Sequence, residues 1–231
     1  MLILGSLLYL VLLCALLIVA YRPALFHRYY ARVKSAVSLG FLLLSVFAAL
    51  WRGNAALLVL MLPGLLLCFA GDVALGLANT HKTMFRRLFL SGVAAFALAH
   101  IAFVAAFALM SPVRNFWQWW MLLPPAALVC GAMLCCHNGA FRLKKLRTPV
   151  VLYSACVGAM CAAALRLGVA AGPRSQGIWF AGGALLFVLS DCILLFLYFY
   201  YKPRKMLRAF NLLTYYLGML CFAWALAVPL I

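Results

Sequence analysis

Eight times in succession the chain runs apolar for about 20 residues, the length a helix needs to cross the hydrocarbon core of a bilayer. The runs fall at approximately 2–21, 34–51, 56–78, 88–110, 117–136, 149–171, 178–200 and 207–228. Inside hydrocarbon every backbone N–H and C=O must find its partner within the chain, which leaves only helices and closed barrels. A barrel strand alternates apolar and polar residues; these runs are continuous. The chain is therefore expected to be all-α, a polytopic integral membrane helical bundle of about eight transmembrane helices, with residues 1–231 forming a single transmembrane domain. Short connections make successive helices antiparallel neighbours. Composition agrees: 9% of residues are charged and 70% hydrophobic, against about 25% and 45–50% in soluble domains. The first run has no basic residues ahead of it and no small-residue cleavage site, so it reads as a retained span.

The charges sort by connection. Fifteen of the 19 Lys and Arg residues lie at alternate connections: Arg22, Arg28, Arg32 and Lys34; Lys82, Arg86 and Arg87; Arg142, Lys144, Lys145 and Arg147; Lys202, Arg204, Lys205 and Arg208. The other side holds Arg52, Arg114 and Arg174, while Arg166 lies near the outer end of span six and is expected to snorkel to the interface. This bias places the basic connections in the cytosol and both termini on the non-cytosolic side. A bacterial inner membrane and an endoplasmic reticulum membrane impose the same bias. Topology and anionic head groups account for the net charge of +17, so nucleic acid is not an expected partner; membrane lipids are.

Against 19 basic residues stand two acids, Asp72 and Asp191, and no glutamate. Both acids lie inside apolar runs, in "CFAGDVALGL" and "FVLSDCILLF". A charged side chain at mid-bilayer costs at least about 2.5–3.5 kcal/mol, so such residues face a protein interior or a wet cavity. Spans three and seven run in the same direction. Asp72 lies about 9 Å and Asp191 about 14 Å from the expected cytosolic ends of their helices. Small neighbours (Gly64, Cys68 and Gly71; Gly183, Ala184 and Ser190) leave room for close packing or a ligand. One reading makes each aspartate a cap or the partner of a buried base; a shared site explains the matched depth better. His100, about 18 Å deep, and Tyr216, about 14 Å deep, fall in the same slab. They are expected as neighbours of the site rather than its chemical agents. Tyr215, beside Tyr216, serves packing or the site, and Lys34 stands at the expected mouth of span two.

Two carboxyls close together in low dielectric cannot both ionise readily. One then donates a proton and the other stays anionic, the division glycosidases use on an oxocarbenium-like transition state. Other hydrolytic chemistries lack their parts. No G-x-S-x-G is present, Ser190 and Asp191 are about 100° apart on a helix, and HExxH needs a glutamate. "CCHN" at 135–138 has no second His/Cys pair at ligand spacing, so no metal and no other cofactor is expected. The nine cysteines read as buried apolar thiols.

"LLCFAGDVALGL", "FALAHIAFVAAF", "GALLFVLSDCILLF" and "LLTYYLGMLCFAWAL" succeed one another in an order and spacing that resembles the YhhN-like lysoplasmalogenase family of eight-span membrane proteins. The resemblance covers the chain from span two to span eight, with the G-D and S-D motifs its most specific part. It implies hydrolysis of the vinyl ether bond of lysoplasmalogens to a fatty aldehyde and glycerophosphocholine or glycerophosphoethanolamine, with Asp72 and Asp191 catalytic. Three positions depart from the family pattern: Ser35 after Lys34, Met219 after the tyrosine pair, and Phe103 near His100. The implied partners are a lysophospholipid with a vinyl ether chain and water. Its tail is expected between helices and its phosphate near Lys34, Lys82 or Arg86. The rival readings are a proton-coupled transporter using the same acids and a non-enzymatic scaffold or lipid sensor. Span six carries Ser154, Gly158 and Ala162 at i, i+4 spacing, which suits internal packing, with an oligomer as the alternative.

Overall fold

The computed structural model describes residues 1–80, 82–172, 175–202 and 206–228. Arg174, Arg204 and Lys205 from the charge count lie outside the described residues, as do the side chains of Lys82 and Lys144. The described chain forms α1 (Leu2–Tyr21), α2 (Pro23–Trp51), α3 (Ala55–Thr80), α4 (Phe85–Met110), α5 (Leu123–His137), α6 (Arg147–Ala171), α7 (Gln176–Phe199) and α8 (Met206–Ala227). With the short 3-10 turn Trp119–Leu122 continuing into α5, all eight helices are long and apolar enough to cross a membrane. The all-α, multi-pass expectation therefore holds.

Two boundaries differ from the hydropathy reading. Helix α2 begins at Pro23, eleven residues before Lys34, because Pro at the first helical position suits a helix start. Phe26, Tyr30, Lys34, Ser38 and Phe41 form a buried stripe along it, while Arg28 and Arg32 point outward. Hydropathy averages over both faces and so missed this extension. The fifth span starts as a 3-10 turn, and the α-helix proper begins only past Leu122, where Pro124 and Pro125 occupy its first turn.

Helix contacts close on themselves. Helix α2 packs on α3, α3 on α4, α4 on α6, α6 on α7, α7 on α8, and α8 returns to α2. Six helices thus form a ring around an interior. Helix α1 lies outside it against α2 and α8, and α5 lies outside against α6. On α1, Ser6, Tyr9, Leu13 and Leu16 face inward at helical spacing, while Leu4, Leu7, Leu8 and Val11 stay exposed on the face that lipid would cover.

Small residues set the closest approaches. A Cβ on Gly183 would stand 2.8 Å from the Gly218 carbonyl oxygen, and one on Gly218 would stand 2.9 Å from the Gly183 carbonyl, so α7 and α8 cross backbone to backbone. A Cβ on Gly158 would come within 2.3 Å of the Pro125 Cα. Gly158 therefore seats α5 on α6, and the nearby Ala162 is also buried; these two members of the span-six stripe serve internal packing. At the end away from the four basic connections, Arg166 donates to the carbonyls of Phe116 (3.1 Å) and Asn115 (3.0 Å). It ties down the α4–α5 connection.

Asp72 lies eight residues before the last residue of α3, and Asp191 eight before the last of α7. Each carboxyl is thus about 12 Å from the basic end of the bundle, a closer match than hydropathy boundaries suggested.

The Gly158 contact is testable by a methyl group. Gly158→Ala meets backbone and is expected to cost about 1–3 kcal/mol. Gly182→Ala, whose Cβ would meet nothing within 4 Å, is expected to be neutral or stabilising. Unfolding of both variants in one detergent would separate them, and equal midpoints would refute the packing role.

Candidate active site

Asp72 is 1% exposed, and its side chain is satisfied on both oxygens. The Lys34 ammonium from α2 forms an ion pair with Oδ1. Ser38, one turn further along α2, donates to Oδ2 at 2.7 Å, and Tyr215 from α8 donates to the same oxygen at 2.8 Å. Ser38 also lies 2.9 Å from the Tyr216 hydroxyl. A serine has one proton to give; with that proton on Asp72, Tyr216 donates to Ser38. The adjacent tyrosines thus support one carboxylate by two routes. Both rings also lie 5.7 Å from the Lys34 ammonium, within cation–π range. Tyr9 of α1 donates to the Tyr216 carbonyl at 2.8 Å, fixing the outer helix to this assembly. A buried ion pair is tolerable only when its remaining lone pairs and protons are so engaged.

Asp191 has a different setting. Its side chain is 12% exposed, and no Lys or Arg pairs with it among the described residues. Tyr153 of α6 donates to Oδ2 at 3.0 Å. The Nε2 of His100 lies 3.8 Å from the same oxygen, beyond hydrogen-bond length. His100 is fully buried between the rings of Tyr153 (centroids 5.4 Å apart) and Phe187 (4.8 Å). Neither ring nitrogen has a hydrogen-bond partner in good geometry among the described residues.

Two cavities meet at Asp191. One, of about 250 Å³, is the more polar of the two, with Lys34, Asp72, Asn79, Asp191, Arg208 and Tyr215 among the residues that border it. The other, of about 220 Å³, lies among α4, α5, α6 and α7 and is almost wholly apolar, with Val93, Leu128, Val157 and Leu195 in its wall. Leu75, Phe96, Leu194 and Tyr198 border both, as does Asp191. The arrangement matches an amphiphile: a polar chamber, an apolar slot, and a carboxyl at their boundary.

The structure brings Asp72 and Asp191 to one cavity. Tyr215 touches Asp72 directly, Tyr216 reaches it through Ser38, and His100 stands beside Asp191. One expectation needs correction. Lys34 is not at a helix mouth open to a head group; it is 5% exposed, inside α2, and bound to Asp72. Ser190 borders the same cavity and bridges to α8, donating to the Asn211 carbonyl (3.1 Å) and accepting from its amide (2.8 Å). Sequence reasoning missed Ser38, Tyr153, Arg208 and Asn211. Ser38 had a signal, since i+4 spacing puts it on the Lys34 face. Tyr153 had none, because its link to Asp191 depends on how α6 packs against α7. No three His, Cys, Asp or Glu side chains converge among the described residues, so those residues supply no ligand set for a metal.

Compared with known protein families, residues 6–226 match the model described as the YhhN family. No curated protein and no solved structure matches the chain.

The Lys34–Asp72 pair makes a prediction about stability. Asp72→Asn or Lys34→Met alone strands a buried charge and is expected to cost about 3–5 kcal/mol. The double variant is expected to cost clearly less than the sum of the two. Unfolding in mixed micelles measures the cycle, and additive losses would mean that the two groups do not depend on each other.

Proposed function

The chain belongs to the YhhN family, the lysoplasmalogenase family, and on that premise we propose that it hydrolyses the vinyl ether bond of lysoplasmalogens within the membrane. The observation that carries the reading is the position of Asp191, at the boundary of a partly polar and an apolar cavity and, among the described residues, without a Lys or Arg beside it. The alkenyl chain lies in the apolar slot, the glycerol and head group in the polar chamber, and the vinyl ether at the carboxyl.

Partners divide the roles of the two acids. Lys34 and two hydroxyl donors occupy both oxygens of Asp72. Asp191 is the proton donor. It delivers its proton to the β-carbon of the vinyl ether, the C=C pair forms the new C–H bond, and positive charge spreads over the α-carbon and ether oxygen. Tyr215 spends its proton on Asp72, so its oxygen presents lone pairs to the chamber it borders. Asp72 and that hydroxyl are the fixed negative end of the site, in place before the cation forms. Water adds to the α-carbon and the Asp191 carboxylate takes its proton, restoring the acid. The hemiacetal then breaks its bond to the glycerol oxygen, its hydroxyl proton passing to that oxygen as the C=O bond of the aldehyde forms. Fatty aldehyde leaves with glycerophosphocholine or glycerophosphoethanolamine as the second product.

The distribution of Lys and Arg supports a bundle whose basic end faces the cytosol and whose termini face away. The chamber lies in that half. The whole chain acts as one membrane domain, since the helices that hold the two acids and their partners extend from α1 to α8.

The test is aldehyde release from a lysoplasmalogen by the detergent-purified protein. Asp191→Asn leaves no buried cation unpaired, so it is expected to fold normally. It should lower kcat by about 10²–10⁴, the usual contribution of a general acid. Absence of aldehyde from a folded wild type would falsify the assignment and bring the transporter reading forward.

A further inference from the structure

The substrate carries a phosphodiester as well as a vinyl ether, and a buried anion needs fixed donors. Of the three basic residues read from the sequence, the two whose side chains are described do not supply them. Lys34 is consumed by Asp72, Arg86 is exposed and does not border the chamber, and Lys82 has no described side chain.

Arg208 meets the requirement. It sits in the first turn of α8, half-buried, and borders the polar chamber with Tyr30, Asn79, Tyr198 and Asn211. Its guanidinium lies over the Phe26 ring, 4.4 Å from the centroid. Among the described residues it makes no hydrogen bond and no ion pair. Neither aspartate is paired with it. An arginine whose N–H donors are uncommitted among the described residues, with one face against an aromatic ring, is suited to bidentate binding of a phosphate. Its depth also fits. Asn211, one turn further into the membrane, is bonded to Ser190, the residue before Asp191. Phosphate at Arg208 therefore lies nearer the basic end of the bundle than the vinyl ether at Asp191, with the glycerol between them.

Resting on the proposed vinyl ether hydrolysis, we propose that Arg208 is the phosphate-binding residue of the chamber and that it selects lysophospholipids over uncharged alkenyl glycerols. The alternative source of the same chemistry is a bulk anionic lipid head group at the interface, for which Arg208 would be an anchor and not a substrate contact.

The experiment compares a lysoplasmalogen with the phosphate-free 1-alkenylglycerol in detergent, using wild type, Arg208→Gln and Arg208→Lys. Binding of glycerophosphocholine to each protein is measured separately by calorimetry. Arg208→Gln is expected to raise KM for the lysoplasmalogen about ten- to a hundredfold, the range for a lost charge-assisted hydrogen-bond pair. It should leave kcat near wild type and the alkenylglycerol kinetics unchanged. Arg208→Lys restores the charge without the fork and should recover part of the loss. If Arg208→Gln does not fold, the smaller KM rise in Arg208→Lys, confined to the phosphate-bearing substrate, carries the same test. Equal effects on both substrates, an effect abolished by adding anionic lipid, or no effect on either would overturn the proposal. If wild type cleaves neither substrate yet binds glycerophosphocholine through Arg208, the phosphate site stands and the hydrolase assignment falls.

Discussion

An ammonium and a carboxylate meet inside a ring of apolar helices, and much of the bundle is organised around that contact. Lys34 and Asp72 are both almost fully buried. Neither is tolerable there alone, since an unpaired charge in low dielectric costs several kcal/mol. Their pairing fixes the rotation of α2 against α3. The hydroxyls that complete it extend the constraint: Ser38 comes from the Lys34 face of α2, Tyr215 and Tyr216 come from α8, and Tyr9 ties α1 to the carbonyl of Tyr216. Four helices are thus positioned by the demand to satisfy one carboxylate.

The second acid is built differently, and the difference is what gives the chamber two ends. Asp191 has a tyrosine hydroxyl, a nearby imidazole, and a boundary with apolar space. Expecting repulsion between two neighbouring carboxyls to separate their roles is reasonable from composition. In the folded protein the groups beside the two acids already differ: an ammonium stands at Asp72 and a tyrosine hydroxyl at Asp191. This is the same physics of environment acting on like groups, with the cation supplied by the one basic residue that the helix buries on the chamber side of α2.

Closure of the ring makes such a chamber possible in a membrane. Each of the six helices satisfies its own backbone, so the interior can hold polar side chains without exposing main-chain groups to lipid. Glycine contacts bring α7 and α8 together at their crossing. Beyond that crossing, toward the basic end, the interior is wide enough for Arg208, Asn211 and Tyr198 to border a cavity. The apolar slot is bordered by α5, which lies outside the ring, and is walled by the same kind of aliphatic side chains that pack the bundle.

Much was legible from the order of residues alone. Continuous apolar runs specify membrane helices because hydrocarbon leaves no other way to satisfy a backbone. Two acids in apolar runs mark an interior site because lipid-facing charge is too costly. Their matched depth comes from helix rise, and the family motifs come from the residues themselves. What the sequence does not contain is rotation and neighbourhood. Lys34 read as a residue of a basic connection, because hydropathy averages around a helix and cannot say that its face turns inward. Tyr153 and Arg208 carry no local sign of their positions, since each depends on which helices become neighbours in the ring. Depth is a property of one helix and its length. Partnership is a property of the packing between helices, and only the tertiary structure decided it.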